Sequence, residues 1–128
     1  MATITEDYVS YGVAKLLKEK GFDEGCSFVV NTVSKGVMPV SWPTTNSDIE
    51  DEKAVLIALP TLQMAMKWLR EVHKIIITID YNDDDDCEEN ERWGYSVFNP
   101  YRKVDHATYV TYEEAAEAAI KYCLEHLI

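Results

Sequence analysis

Residues 80–91 carry eight carboxylates and no base: Asp80, the unbroken run Asp83, Asp84, Asp85 and Asp86, and then Glu88, Glu89 and Glu91. Carboxylates this close together repel one another and cannot leave water without counter-charges, so the segment has to lie in solvent. On its N-terminal side Ile75, Ile77, Ile79 and Tyr81 alternate with Ile76, Thr78 and Asp80; on its C-terminal side Trp93, Tyr95 and Val97 alternate with Gly94, Ser96 and Phe98. A period of two is the mark of a strand with one face turned inward. Two such strands joined by a stretch that must stay wet predict an antiparallel hairpin with a long charged tip from about Asn82 to Arg92.

The rest of the chain falls into amphipathic helices and further strands. Residues 8–20 place Val9, Val13, Leu16 and Leu17 on one helical face and Lys15, Lys18 and Glu19 on the other. Thr3 or Thr5 is expected to cap this helix and Glu6 and Asp7 to meet the positive end of its dipole. Gly21 is expected to take the left-handed position that ends it, with Phe22 packing back. Residues 27–33 and 37–42 flank Ser34-Lys35-Gly36, a hairpin connection with Gly where a three-residue loop favours it. Residues 43–53 read as a loop and the apolar run 54–59 as a buried strand. After Pro60-Thr61, a second helix turns Leu62, Ala65, Met66, Leu69 and Val72 inward and Lys67, Arg70, Glu71 and Lys74 to water. A weaker strand at 104–110 leads to Thr111-Tyr112-Glu113-Glu114, which has the Thr and Glu spacing of a capping box. The third helix begins there, its apolar face formed by Tyr112, Ala115, Ala119, Ile120, Cys123 and Leu127. Hairpins separated by single helices predict an α+β fold: a mainly antiparallel sheet of about four to six strands with three helices packed on one face.

A length of 128 residues suits a single α+β domain over residues 1–128, and 47% hydrophobic with 27% charged residues is ordinary globular composition. The formal charge is -11, yet the 15 acids outside residues 80–91 face 12 Lys and Arg, so most of the imbalance belongs to the hairpin tip. No cluster of Lys and Arg exists to neutralise phosphates, which argues against nucleic acid as a direct partner. The longest apolar run falls far short of the ~18 residues that cross a bilayer, and the N-terminus has no basic stretch followed by an apolar one. A cytoplasmic location without a membrane partner is expected. Cys26, Cys87 and Cys123 are widely spaced and odd in number, which fits reduced thiols better than a disulfide framework.

From Asp80 the acidic tip can be written in calcium-loop register, with Asn82, Asp84, Asp86, Glu88 and Glu91 at the third, fifth, seventh, ninth and twelfth places. The sharp turn of such a loop wants Gly where Asp85 stands, Cys87 replaces its apolar residue, and strands flank it instead of helices. A plain solvated tip is therefore the favoured reading; a calcium loop, a weak cation site and mimicry of nucleic-acid phosphates are the alternatives. His73, His106 and His126 share no metal spacing with one another or with the cysteines. Neither a Gly-x-Ser-x-Gly elbow nor a glycine-rich phosphate loop occurs, so the sequence names no catalytic residue and no cofactor. Cys26, following Gly25 in a connection, is the thiol most open to reaction, against the plainer reading of a small residue at a strand edge. Capping and the helix dipole account for Glu113, Glu114 and Glu117 without acid–base work.

Three stretches carry a resemblance. They are residues 4–10 leading into Lys15-Leu16-Leu17-Lys18-Glu19-Lys20-Gly21-Phe22, then Pro60-Thr61-Leu62-Gln63 with Lys67-Trp68-Leu69-Arg70-Glu71-Val72-His73, and finally Tyr112-Glu113-Glu114-Ala115 to the end. Together they resemble a group of small uncharacterised proteins from phages and mobile elements of gut anaerobic bacteria. The likeness lies in helix faces, so it implies a genetic context and no chemistry; Gly12 and the acidic tip depart from it. The favoured function is a non-enzymatic accessory or interaction protein that acts through protein–protein contacts, with a basic partner the one its tip would suit. The alternatives are an enzyme whose active site is assembled from distant residues, and a cation-binding or nucleic-acid-mimicking module built on the acidic loop.

Overall fold

A computed structural model of the chain describes residues 6–49 and 55–128. The fold is α+β, with six strands and three helices among the described residues, and it divides into two compact units, Met1–Thr61 and Leu62–Ile128. The strands form two antiparallel three-stranded sheets, where the sequence predicted one. Helices are shared out accordingly, one with the first sheet and two with the second.

The first unit contains α1 (Tyr11–Glu19), β1 (Cys26–Asn31), β2 (Val37–Thr44) and β3 (Leu56–Leu59), with β1 central between β2 and β3. The α1 helix starts later than its apolar period suggested. Tyr8 bridges Thr61 and the Val9 N–H donates to the Pro60 carbonyl at 3.1 Å, which holds both residues extended. Ser10 then caps the helix, its hydroxyl accepting the Val13 N–H at 3.2 Å. The expected caps Thr3 and Thr5 lie outside the described residues, and Glu6 and Asp7 precede the helix, whose first turn holds no acid. Its C-terminus closes as expected. Gly21 has φ 91°, its N–H donates to the Lys18 carbonyl at 3.1 Å and the Phe22 N–H to that of Leu17 at 2.9 Å. That pair of bonds is a Schellman closure, and it tucks Phe22 into the core.

The β1–β2 hairpin forms, but Lys35 takes the left-handed residue (φ 62°) where Gly36 was expected. Side chains explain the choice. The Asn31 carboxamide oxygen accepts the N–H groups of Val33 at 2.8 Å and Ser34 at 3.0 Å, while the Lys35 ammonium lies 3.8 Å from the centre of the Tyr11 ring. β2 runs on to Thr44, so the loop expected from residue 43 begins later. Pro39 and Pro43 are tolerated because β2 is an edge strand. Gly25 is needed where the chain enters β1: a Cβ there would stand 2.9 Å from the Pro43 Cβ.

The apolar run becomes β3, buried from Ile57 to Leu59 and paired with β1. Its outer edge meets Asn46, whose carboxamide oxygen accepts the Ala58 N–H at 2.9 Å and whose NH2 donates to the Phe22 carbonyl at 2.8 Å. Asp23 adds two bonds to Ser47, and these hold its carboxyl below the usual carboxylate range.

The second unit contains α2 (Leu62–His73), β4 (Ile76–Tyr81), β5 (Trp93–Phe98), β6 (Lys103–Tyr109) and α3 (Tyr112–His126), its sheet ordered β4-β5-β6. The α3 helix crosses all three strands, and α2 lies against α3 and β4. Ala115, Ala116 and Ala119 are fully buried, and such small side chains let the helix backbone come close to the sheet. Ile120, Leu124 and Leu69 fill the space around them, each contributing about 1.5–3 kcal/mol. Thr111 caps α3 as predicted, its hydroxyl accepting the Glu114 N–H at 3.1 Å. No Gly ends α2; Lys74 turns left-handed (φ 60°) and its ammonium donates to the Glu71 carbonyl at 3.0 Å. Val72, expected inward, is exposed in the last turn, while Trp68 is buried.

Two substitutions check the first unit. Asn46→Ala leaves the Ala58 N–H without its acceptor and is expected to cost about 1–3 kcal/mol in urea unfolding. Gly12 lies within α1, and a Cβ there meets nothing closer than the Ser10 hydroxyl at 3.9 Å. Gly12→Ala is therefore expected to stabilise by up to about 1 kcal/mol.

Candidate functional site

The acidic hairpin forms where the charge constraint put it. Tyr81 pairs with Trp93, the Asn82 N–H donates to the Arg92 carbonyl at 2.7 Å, and residues between them are exposed except the half-buried Cys87. The tip has internal structure that the sequence did not reveal. The Asn82 side-chain oxygen accepts the Asp84 N–H and a carboxylate oxygen of Asp84 accepts the Asp86 N–H, both at 3.0 Å. The Arg92 guanidinium donates to the carbonyls of Asn82 at 3.0 Å and Asp84 at 3.1 Å. Glu89–Glu91 form a short 3-10 turn.

Of the calcium-register residues Asp80, Asn82, Asp84, Asp86, Glu88 and Glu91, two thus already direct side-chain oxygens at the loop's own backbone, and Asp80 stands within β4. Among the described residues no group of three or more His, Cys, Asp and Glu is placed to hold a metal ion. The histidines are dispersed. His73 and His126 end α2 and α3, where they meet the rings of Trp68 and Tyr122 at centroid distances of 4.7 and 4.8 Å, and His106 is exposed on β6.

Beneath α3 lies a polar cluster that no local motif announced. Tyr95 and Asp105 sit on the covered face of the sheet, where the Tyr95 hydroxyl donates to the Asp105 carboxylate and its ring stacks on Tyr109 at 6.1 Å. Burial, and then the Asp105 bond, push the phenol well above its ordinary range. Cys123 faces the same cluster from α3, its thiol pushed up to about 12 by burial and by the Asp105 charge. A nucleophile or a general base needs its reactive form populated near neutral pH, and these shifts run the other way. The cluster positions β6 and α3 against β5; it is poorly suited to catalysis.

Cys26 follows the plainer of its two readings, a small residue at the start of a strand, and not that of an open thiol. It is buried at the start of β1, its Sγ donates to the Glu24 carbonyl at 3.5 Å, and burial with the nearby Glu24 charge raises it to about 11.

Exposed apolar groups occur in both units, Val72, Tyr81 and Val110 among them. In the first unit Val33, Val37, Met38 and Trp42 line the β1–β2 turn and edge strand β2, with Trp42 73% exposed. In the second, Tyr101 at the tip of the β5–β6 hairpin is fully exposed and left-handed at φ 63°. A bulky side chain in that backbone region costs roughly 1–2 kcal/mol. The run Pro100-Tyr101-Arg102 offered no Gly or Asn to signal such a turn.

No known family, no curated protein and no solved structure matches the chain.

Thiol reactivity checks this arrangement. With iodoacetamide at mildly alkaline pH, Cys87 is expected to be alkylated well before Cys26 and Cys123, which should react only on unfolding. Peptide mass mapping showing Cys26 modified as fast as Cys87 would contradict the burial described for β1.

Proposed function

We propose that this protein is a non-enzymatic accessory or interaction factor that works in the cytoplasm through protein–protein contacts. The observation that carries the reading is the exposure of large apolar side chains on the edge strand β2, Val37 and Met38 on its two faces and Trp42 farther along. Large apolar side chains left in water along a sheet edge are available to a partner, and Trp is among the residues most enriched where binding energy concentrates. Pro39 and Pro43 withhold two backbone donors along the same strand. That discourages a further strand from pairing with β2, so recognition would run through side chains rather than a backbone ladder. The Tyr95–Asp105–Cys123 cluster gives the enzyme alternative no support, because its shifts suppress the reactive forms.

A photo-crosslinking amino acid at position 42, introduced in the native cell, is expected to trap a discrete protein species, whereas the same group at position 67 should not. Replacing Met38 and Trp42 together with Ser should abolish capture by a crosslinker at the neighbouring position 41 and move the melting temperature by only a few degrees, since neither side chain is buried. No adduct at position 42, or adducts unchanged by the substitutions, would count against the reading.

A further inference from the structure

In the second unit acidic side chains gather at one end of the sheet, although Glu71 near the end of α2 and Glu125 near the end of α3 lie toward the other. The acidic tip opens from the Tyr81–Trp93 end of the sheet, and α3 begins at that end too, since the rings of Trp93 and Tyr112 meet at 5.6 Å. Glu113 and Glu114 therefore add to the same pole. At the opposite end, about 20 Å away for six-residue strands, Ile76 pairs with Phe98 and Phe98 with Lys103. There Lys74, Arg102 and Lys103 are all exposed. Among the described residues neither Arg102 nor Lys103 has a carboxylate partner, although the chain carries 23 acids.

This basic end has an apolar floor. Val97 and Tyr95 point to the helices, so their neighbours on β5 point the other way, and Phe98 lies with Ile76 on the sheet face that α2 and α3 do not cover. Val104, the extra residue of the β6 bulge beside Phe98, is also exposed. Tyr101 stands over this end, fully exposed and held left-handed by the hairpin, with no described contact to reward the strained backbone.

We infer that this end of the sheet, formed by Ile76, Phe98, Tyr101, Arg102, Lys103 and Val104, docks an acidic segment of a partner protein that carries one or two large apolar side chains. The inference rests on the reading of the protein as an interaction factor, but it uses a surface separate from β2, so either can fail alone. Charge complementarity sets the occupant. Two unpaired cations and an adjacent lysine call for carboxylates, and the exposed aliphatic and aromatic groups between them call for an apolar anchor. A nucleic acid is disfavoured because a long polyanion would extend toward the acidic pole, whereas a short peptide stays within about one Debye length (~8 Å) of the cations.

The test uses the full chain and a fluorescein-labelled peptide of Asp and Glu interspersed with Leu and Phe, followed by anisotropy. The peptide is expected to bind at low salt and to weaken at least about tenfold between roughly 50 and 300 mM salt. Arg102→Glu with Lys103→Glu should weaken it by about tenfold or more. Tyr101→Gly, which relieves the left-handed strain and should fold at least as well, should weaken it several-fold. A Lys-substituted peptide should not bind. The proposal is overturned if the acidic peptide fails to bind, or if the charge-reversed chain binds it equally well. It is also overturned if an oligothymidine binds more tightly, which would make the face a nucleic-acid surface. Sedimentation provides the last arm: self-association that the charge reversal abolishes would give the face to a second copy instead.

Discussion

The amide of Ala58 lies in a buried strand and points away from the strand that pairs with it, so without an acceptor it would oppose the burial of β3 altogether. Asn46 supplies that acceptor, and its other end holds the Phe22 carbonyl just beyond the α1 closure. One carboxamide thus fastens the outer edge of the first sheet to the turn that ends its helix. The burial of Ile57 and Leu59, and their pairing with β1, follow from that edge being satisfied. At the other edge no such device is needed: β2 faces water, and its prolines reduce the number of donors left to satisfy.

The second sheet is organised from the inside. Three alanines bring α3 close to β5, and at that short separation the polar side chains between helix and sheet must pair with each other. Tyr95 and Asp105 do so, across the register that joins β5 to β6. A slip of β6 by one residue would carry Asp105 to the outer face and leave the phenol under the helix without its acceptor, so the pair penalises the wrong register more than it strengthens the right one. Cys123 completes the layer as a small, protonated thiol.

What could be read from the sequence divides along physical lines. The acidic hairpin was legible because charge repulsion and strand period act locally and agree; the α3 cap and the α1 closure were legible because Thr111 and Gly21 do what those residues do in isolation. The start of α1 was not, since pairing of Tyr8 and Val9 with Pro60 and Thr61 is a contact fifty residues distant in sequence that overrode a helical period. The same holds for the sheets: the preference of β1 for β3, matching Phe28 to Leu59, separated the strands into two sets, and no hairpin pattern reports such a choice. Cys26 was legible as a small residue at a strand edge, while the depth of its burial comes from the fold around β1. Of the surfaces, only the acidic tip was visible beforehand. The exposed side chains of β2 and the Tyr101 tip depend on which apolar residues remain uncovered after folding, and composition alone does not say.

The neck of the acidic hairpin has a consequence for how this protein can change over time. Tyr81 and Trp93 meet edge to face at 4.9 Å, the next residues close the ladder, and Arg92 ties the first loop carbonyls back to the neck. Everything beyond that clasp is mechanically insulated from the strands below. Lengthening such a loop costs only about 0.6 kcal/mol for each doubling of its span, a logarithmic penalty that does not reach the buried core. The hairpin tip is therefore the part of the molecule most free to accept insertions, deletions and exchange of residues: a replaceable head on a fixed stem, where new specificity could be tried without the rest of the fold having to adjust.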